Sequence, residues 1–204
     1  MEFIVFIGVA IGFSVLKGRE QKQRIALLGS HLARFELEKL METLIDGYLR
    51  ALGEASPERQ AQVFEHLAAQ EEKLRDQFAQ FSEAFAQVWA DDALSSTLPV
   101  AIPLATKLLP AASFDARETM RIHARGIAAV VNQRDGIAVK DRAYMLMSEM
   151  LLMQHSCHWY CRSRTVASAR LLARHQTQYA QVIEGVSRAT RQAYLSQTTK
   201  EKAL

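Results

Sequence analysis

Apolar residues recur at three- and four-residue steps along most of the chain, the spacing of one helix face. From residue 25 the steps run through Leu28, Leu32 and Phe35, then through Leu37, Met41, Leu44, Tyr48 and Leu52. This predicts amphipathic helix with a stripe that winds, stopped by Gly53. Ser56-Pro57 starts the next helix with a capping hydroxyl and a proline at the first helical position. Its stripe is the most regular in the chain: Phe64, Leu67, Glu71, Leu74, Phe78, Phe81, Phe85 and Val88, a heptad seam with one acid in it. Four phenylalanines favour the interior of a bundle over a thin two-stranded coiled coil. Asp91-Asp92 is the expected end of that helix.

A third helix is predicted from the capping pair Asp115 and Glu118 to about Gln133, with Met120, His123, Ile127, Val130 and Val131 inward. Arg134-Asp135-Gly136 is turn chemistry. Residues 141–183 then hold no proline or glycine, which predicts one long helix or two nearly collinear ones. Residues 143–153 are apolar all round apart from Ser148 and Glu149, so this helix needs neighbours on every side and is the expected centre of the fold. Gly185 breaks it, Ser187 caps a short last helix, and residues 198–204 form a polar tail.

Residues 93–113 are the irregular part, divided by Pro99, Pro103 and Pro110 but rich in leucine, valine and isoleucine. Such apolar content predicts a cap folded onto the bundle, with one helical turn near Leu104 to Leu109.

Residues 3–16 carry no charge, and Lys17, Arg19, Lys22 and Arg24 follow at once. An uncleaved membrane anchor over residues 1–17 is expected, extended by a snorkelling Lys17. Gly8 and Gly12 supply the small-xxx-small pattern of a membrane helix contact. The bases would keep to the cytoplasmic side, which places the amino terminus outside and the bulk of the chain in the cytoplasm.

The 204 residues are 49% hydrophobic and 23% charged, enough for one sizeable core. The net charge is only +3, but it is unevenly spread. Residues 54–92 carry nine acids and three bases, whereas residues 115–204 carry seven acids and fourteen bases. The simplest expectation is that the two parts pair within one bundle. Two cysteines make no disulfide framework and fit a reducing compartment.

The densest cluster of versatile side chains is His155, Cys157, His158 and Cys161, the donor types zinc takes. One helix does not enclose an ion with four ligands, because Cys157 and His158 diverge by about 100°. A site would need His123, His175 or a carboxylate from another helix. The expected reading is therefore no bound metal or cofactor, with buried thiols. Glu-x-x-His pairs, a phosphate-binding glycine loop and a serine nucleophile elbow are all absent, so catalysis is not expected. Glu149, in its apolar run, needs a partner, for which Arg121 and Arg125 are the candidates. Arg162, Arg164, Arg170 and Arg174 lie in a stretch without acids and suit an anionic partner such as lipid headgroups, with nucleic acid less favoured.

These readings add up to an all-α protein. A membrane-anchor helix is followed by a bundle of four to five mainly antiparallel helices over residues 18–197. The expected role is non-catalytic: an adaptor or scaffold that self-associates or holds a protein partner at the membrane. The alternatives are a metal- or redox-responsive sensor built on residues 155–161, and an anion-binding module built on residues 162–174.

Overall fold

The structure, a computed structural model, describes residues 2–133 and 136–199. Met1, Arg134, Asp135 and residues 200–204 lie outside the described residues. So, therefore, do the first two positions of the expected turn and most of the expected tail. Gly136 has φ +84°, the left-handed region that glycine enters without penalty.

The described residues form an all-helical protein. Helix α1 spans Glu2–Leu32, α2 Leu37–Gly53, and α3 Pro57–Phe85. The short α4 (Ala90–Ala93), the turn α5 (Ala105–Leu108) and a 3-10 turn at Pro110–Ala112 occupy the irregular region. Helix α6 spans Ala116–Asn132 and α7 Val139–Cys161. Helices α8 (Arg164–His175), α9 (Tyr179–Gly185) and α10 (Arg188–Thr198) complete the chain.

Local chemistry explains most of the boundaries. The Ser56 hydroxyl accepts from the Arg59 backbone N–H at 3.4 Å and opens α3, and Asp115 accepts from the Arg117 N–H at 2.8 Å and opens α6. Glu118 does not complete a capping box; it pairs with Arg121 and Arg125 at 3.3 and 2.9 Å. Helix α3 ends at Phe85 rather than at Asp91-Asp92, which lie within α4. Residues 94–96 and 113–115 pair as a small antiparallel sheet, β1 (Leu94–Ser96) with β2 (Ser113–Asp115), Ser95 opposite Phe114. The irregular region does fold onto the bundle: the Trp159 indole donates to the Ser96 carbonyl at 2.9 Å.

Residues 141–183 are not one run of helix. Arg162 leaves helical geometry, Ser163 is extended, and the Ser163 hydroxyl accepts from the Val166 N–H at 3.3 Å to start α8. The chain reverses there. Gln154 meets His175 and His158 meets Arg170, so α8 runs back along α7. A second break follows at Gln176, a non-glycine residue at φ +52°.

Helix α7 is the centre of the molecule. Ala143, Leu146, Met147 and Met150 belong to a core shared with α1, α2, α3 and α6, where Leu44, Leu74, Phe78 and Phe81 are sealed from solvent. Leu151, Leu152 and Trp159 belong to a second core with Phe114, Leu171, Val182 and Tyr194. The phenylalanines of α3 pack within this protein: Phe81 stacks on Phe85 at 5.8 Å, and Phe85 meets Tyr160 edge-on at 5.9 Å.

The membrane-spanning anchor expected over residues 1–17 is corrected. Among the described residues no helix is long and apolar enough to cross a membrane. The fourteen uncharged residues 3–16 span about 21 Å as helix, and a bilayer core is about 30 Å thick. Charge then enters the same helix, and its carboxyl-terminal part packs on the bundle through Leu28, which is 4% exposed. With no spanning helix, the single-pass topology and the outside-to-cytoplasm orientation fall with it. Helix α1 is continuous through Gly18 and Gly29.

Candidate functional site

A wide groove of about 1440 Å³ runs between α2 on one side and α7 with α8 on the other. The period of α2 makes its first wall. Leu37, Leu40, Met41, Leu44 and Tyr48 face the core, which leaves Glu38, Glu42 and Asp46 exposed at four-residue steps along the groove. The opposite wall carries His158, Arg162, Arg170, Arg174 and His175. The floor is apolar, with Met41, Ile45, Met147, Leu151, Met153 and Cys157. Ile25, Leu28 and Leu32 of α1 close one end, and Leu49 and Tyr144 stand exposed on the lining at 59% and 54%.

The predicted anion-binding arginines separate into two pairs. Arg162 donates to the Gln21 side chain at 2.7 Å, and the Arg164 guanidinium lies 5.6 Å from the centre of the Trp159 ring. Arg170 contacts His158 Nδ1 at 3.2 Å, and Arg174 makes no hydrogen bond or ion pair among the described residues. The four arginines therefore do not pair with the acidic α3. Arg170 and Arg174 are exposed, and with His155 and His158 they line a smaller recess of about 370 Å³ between α7 and α8. Burial, then Arg170, Arg174 and His175, hold His158 below the ordinary imidazole value.

The His-Cys cluster does not converge. His155 is 1% exposed, its Nε2 lies 3.1 Å from the Ser168 hydroxyl, and its ring stacks on Tyr179 at 4.3 Å. Burial depresses its pKa to about 3. Cys157 faces the groove floor with its thiol 4.0 Å from the Met153 sulfur, and burial pushes its pKa up strongly. Cys161 is half-buried, and burial pushes its thiol up to about 11. His123 and His175, the candidates for a ligand from another helix, bond instead to Ser156 at 2.8 Å and to Gln154 at 2.9 Å. Among the described residues no three His, Cys, Asp or Glu side chains are placed to hold a metal ion. Gly8 and Gly12 lie on the open part of α1, where an added Cβ would meet nothing within 4 Å.

Three polar clusters were not legible in advance. His123, Ser156 and Tyr194 form a chain in which the Ser156 hydroxyl bridges the imidazole at 2.8 Å and the phenol at 3.3 Å. All three are at most 1% exposed, so this serine–histidine contact is closed to a substrate. Glu71 and Arg142 form a buried ion pair to which Tyr48 also donates at 2.5 Å. Glu149 does not meet Arg121 or Arg125. One carboxylate oxygen accepts from the Ser187 N–H at 3.1 Å, the other has no hydrogen-bond partner among the described residues, and burial raises the pKa to about 7. Gly126 makes room for it, since a Cβ there would lie 2.5 Å from the carboxylate.

No protein-family model, no curated protein and no solved structure matches this chain. Fold and groove together define the class: an all-helical protein with a long cleft, apolar below, with acids along α2 and arginines along α8.

Proposed function

We propose that the protein is a non-catalytic docking module, an adaptor that holds an amphipathic helix of a protein partner in the groove between α2 and α7–α8. The observation that carries this is the opposition of Glu38, Glu42 and Asp46 to Arg170 and Arg174 across a floor of methionine and aliphatic side chains. A helix laid into a groove presents an apolar stripe downward and two polar flanks sideways. Here one flank is acidic, facing the arginines, and the other basic, facing α2. Charge on both walls fixes the direction in which the helix lies, because turning it end for end puts like charges together. Methionines in the floor let the apolar surface adapt to its occupant. Helix α8, one wall, is twelve residues long, so an occupant of about three turns, roughly 18 Å, fits its length.

The test is titration of the full chain with labelled amphipathic peptides that share one leucine stripe and differ in their flanks. The peptide with one acidic and one basic flank binds, and binding weakens with salt. A peptide acidic on both flanks binds at least tenfold more weakly. Glu38→Arg/Glu42→Arg and Leu49→Asp, all at exposed positions, each lower affinity for the first peptide by tenfold or more while the helical circular dichroism is unchanged. Equal binding by the wild-type chain and these variants refutes the groove as the site.

A further inference from the structure

The amino-terminal half of α1 is the largest feature the groove leaves unexplained. Nine large apolar side chains between Phe3 and Leu16 are each at least 41% exposed, and they lie on every side of the helix. Monomeric proteins in water seldom leave so large an apolar surface open. If each side chain presents roughly 100 Å², the nine offer on the order of 900 Å², against about 800 Å² per partner in a stable interface. The rod is too short and too soon charged to cross a bilayer, so something else covers it.

We propose that the cover is the same segment of a second copy of this chain, packed antiparallel with Gly8 of each copy against Gly12 of the other. Three features select this arrangement. First, Val5, Gly8, Gly12 and Val15 follow three- and four-residue steps and share one face. The two glycines expose bare backbone there, which lets helices approach closely, and nothing of the chain itself occupies that space. Pairing Gly8 with Gly12 brings Val5 opposite Val15, so both ends of the face are filled by branched apolar side chains.

Second, the register leaves the bundle contacts of α1 clear. In it each residue faces the one whose number makes a sum of 20, so Phe3 faces Lys17. The bundle contacts come after Lys17: Glu20 accepts from the Leu104 N–H at 2.9 Å, and Gln21 accepts from Arg162. The paired residues 3–17 therefore stop short of these bundle contacts.

Third, charge opposes the parallel alternative. Lys17, Arg19, Lys22 and Arg24 of the two copies would lie side by side in a parallel pair. The antiparallel pair sets the two basic clusters about 30 Å apart, some three Debye lengths at physiological salt. It also opposes the two helix dipoles. A pair covers only part of each rod. Two pairs stacked on their remaining apolar faces cover more, so the expected particle holds two or four chains. This surface is separate from the groove and does not depend on its occupant.

The test is the mass of the full chain by light scattering and sedimentation at micromolar concentration, with and without phosphatidylcholine vesicles. The wild-type chain is expected at two or four times the mass of one chain. Gly8→Lys/Gly12→Lys puts lysine opposite lysine and is expected to give monomer, whereas Gly8→Lys/Gly12→Glu puts opposite charges together and restores the assembly. Both substitutions enter open space, so circular dichroism and melting of the bundle stay as in wild type. Under mild oxidation Val5→Cys chains mixed with Val15→Cys chains form the mixed disulfide, and neither alone forms its own dimer. Three results overturn the proposal: a monomeric wild-type chain, self-linked Val5→Cys dimers in place of mixed ones, or monomers that collect on the vesicles, which would make lipid the cover.

Discussion

Arg142 Nη1 donates to Glu71 Oε2 at 2.6 Å and Nη2 to Glu71 Oε1 at 3.0 Å, a two-pronged ion pair that ties α7 to α3 in the protein interior. Its side chains are 11% and 1% exposed. Separating such a pair leaves a charge buried without a partner, which typically destabilises by about 3–5 kcal/mol. Glu71→Leu and Arg142→Leu alone are each expected to lose that much in urea unfolding. The double variant removes both charges and is expected to recover most of the loss. A double variant no better than the sum of the singles would show that the pair does not act as a unit.

Glu149 makes stability depend on pH in a defined sense. Its folded pKa is raised, to about 7 from 4.5, so the folded chain holds a proton that the unfolded chain has released. The stability this proton contributes is fully present below about pH 4.5 and is lost as pH rises through 7. Glu149→Gln keeps the neutral form at all pH. Relative to wild type it is expected to gain on the order of 3 kcal/mol between pH 4.5 and 7.5. His123 and His155 act in the opposite sense, with folded values near 3 from 6.5. Their neutral forms lose stability as pH falls from 6.5 towards 3. That trend is common to wild type and variant, so the difference between the two melting curves isolates Glu149. A difference that is flat with pH would contradict the assignment.

Phe78 and Phe81 are fully buried, and Gln80 between them is exposed. Phe78→Ala and Phe81→Ala are each expected to cost about 3–5 kcal/mol in denaturant unfolding, and Gln80→Ala less than about 0.5.

Thiol reactivity follows burial. Cys157 lies on the closed floor, and Cys161 is half-buried with its pKa near 11. At pH 8 alkylation of the native chain is expected to be slow at both, slower at Cys157, and fast at both after unfolding. Rapid native labelling at Cys157 would mean that the groove floor opens to solvent.

How much of this was written in the local pattern differs by element. Helix α3 was legible because Ser56, Pro57 and the seven seam positions from Phe64 to Phe85 all point one way. The reversal at Ser163 carries no proline or glycine to mark it, and a serine cap suffices when a partner face lies behind it. The three-residue strands carry too little pattern to show a period. Glu71 stood out as the acid in an apolar seam, but its partner lies 71 residues away, beyond any local signal. In the groove, Arg170 and Arg174 were legible as a basic patch. The facing acids on α2 looked like an ordinary solvated side until the helices were brought together. Glu149 showed its need for a partner and not its identity, which is a backbone N–H at the start of α10.

Helix α7 supplies one face to each of the two apolar cores. Neither half of the protein therefore unfolds without stripping one side of the other's central strut, and the two cores should melt in a single transition. Native-state hydrogen exchange reports this directly. The amides of residues 146–153 are expected to exchange only through global unfolding, with an opening free energy equal to that from denaturant. Those of α8 and α10, which border one core only, should exchange through smaller openings. A ligand in the groove would then slow exchange on the far side of α7 as well as on its own, because it braces the element that both halves share.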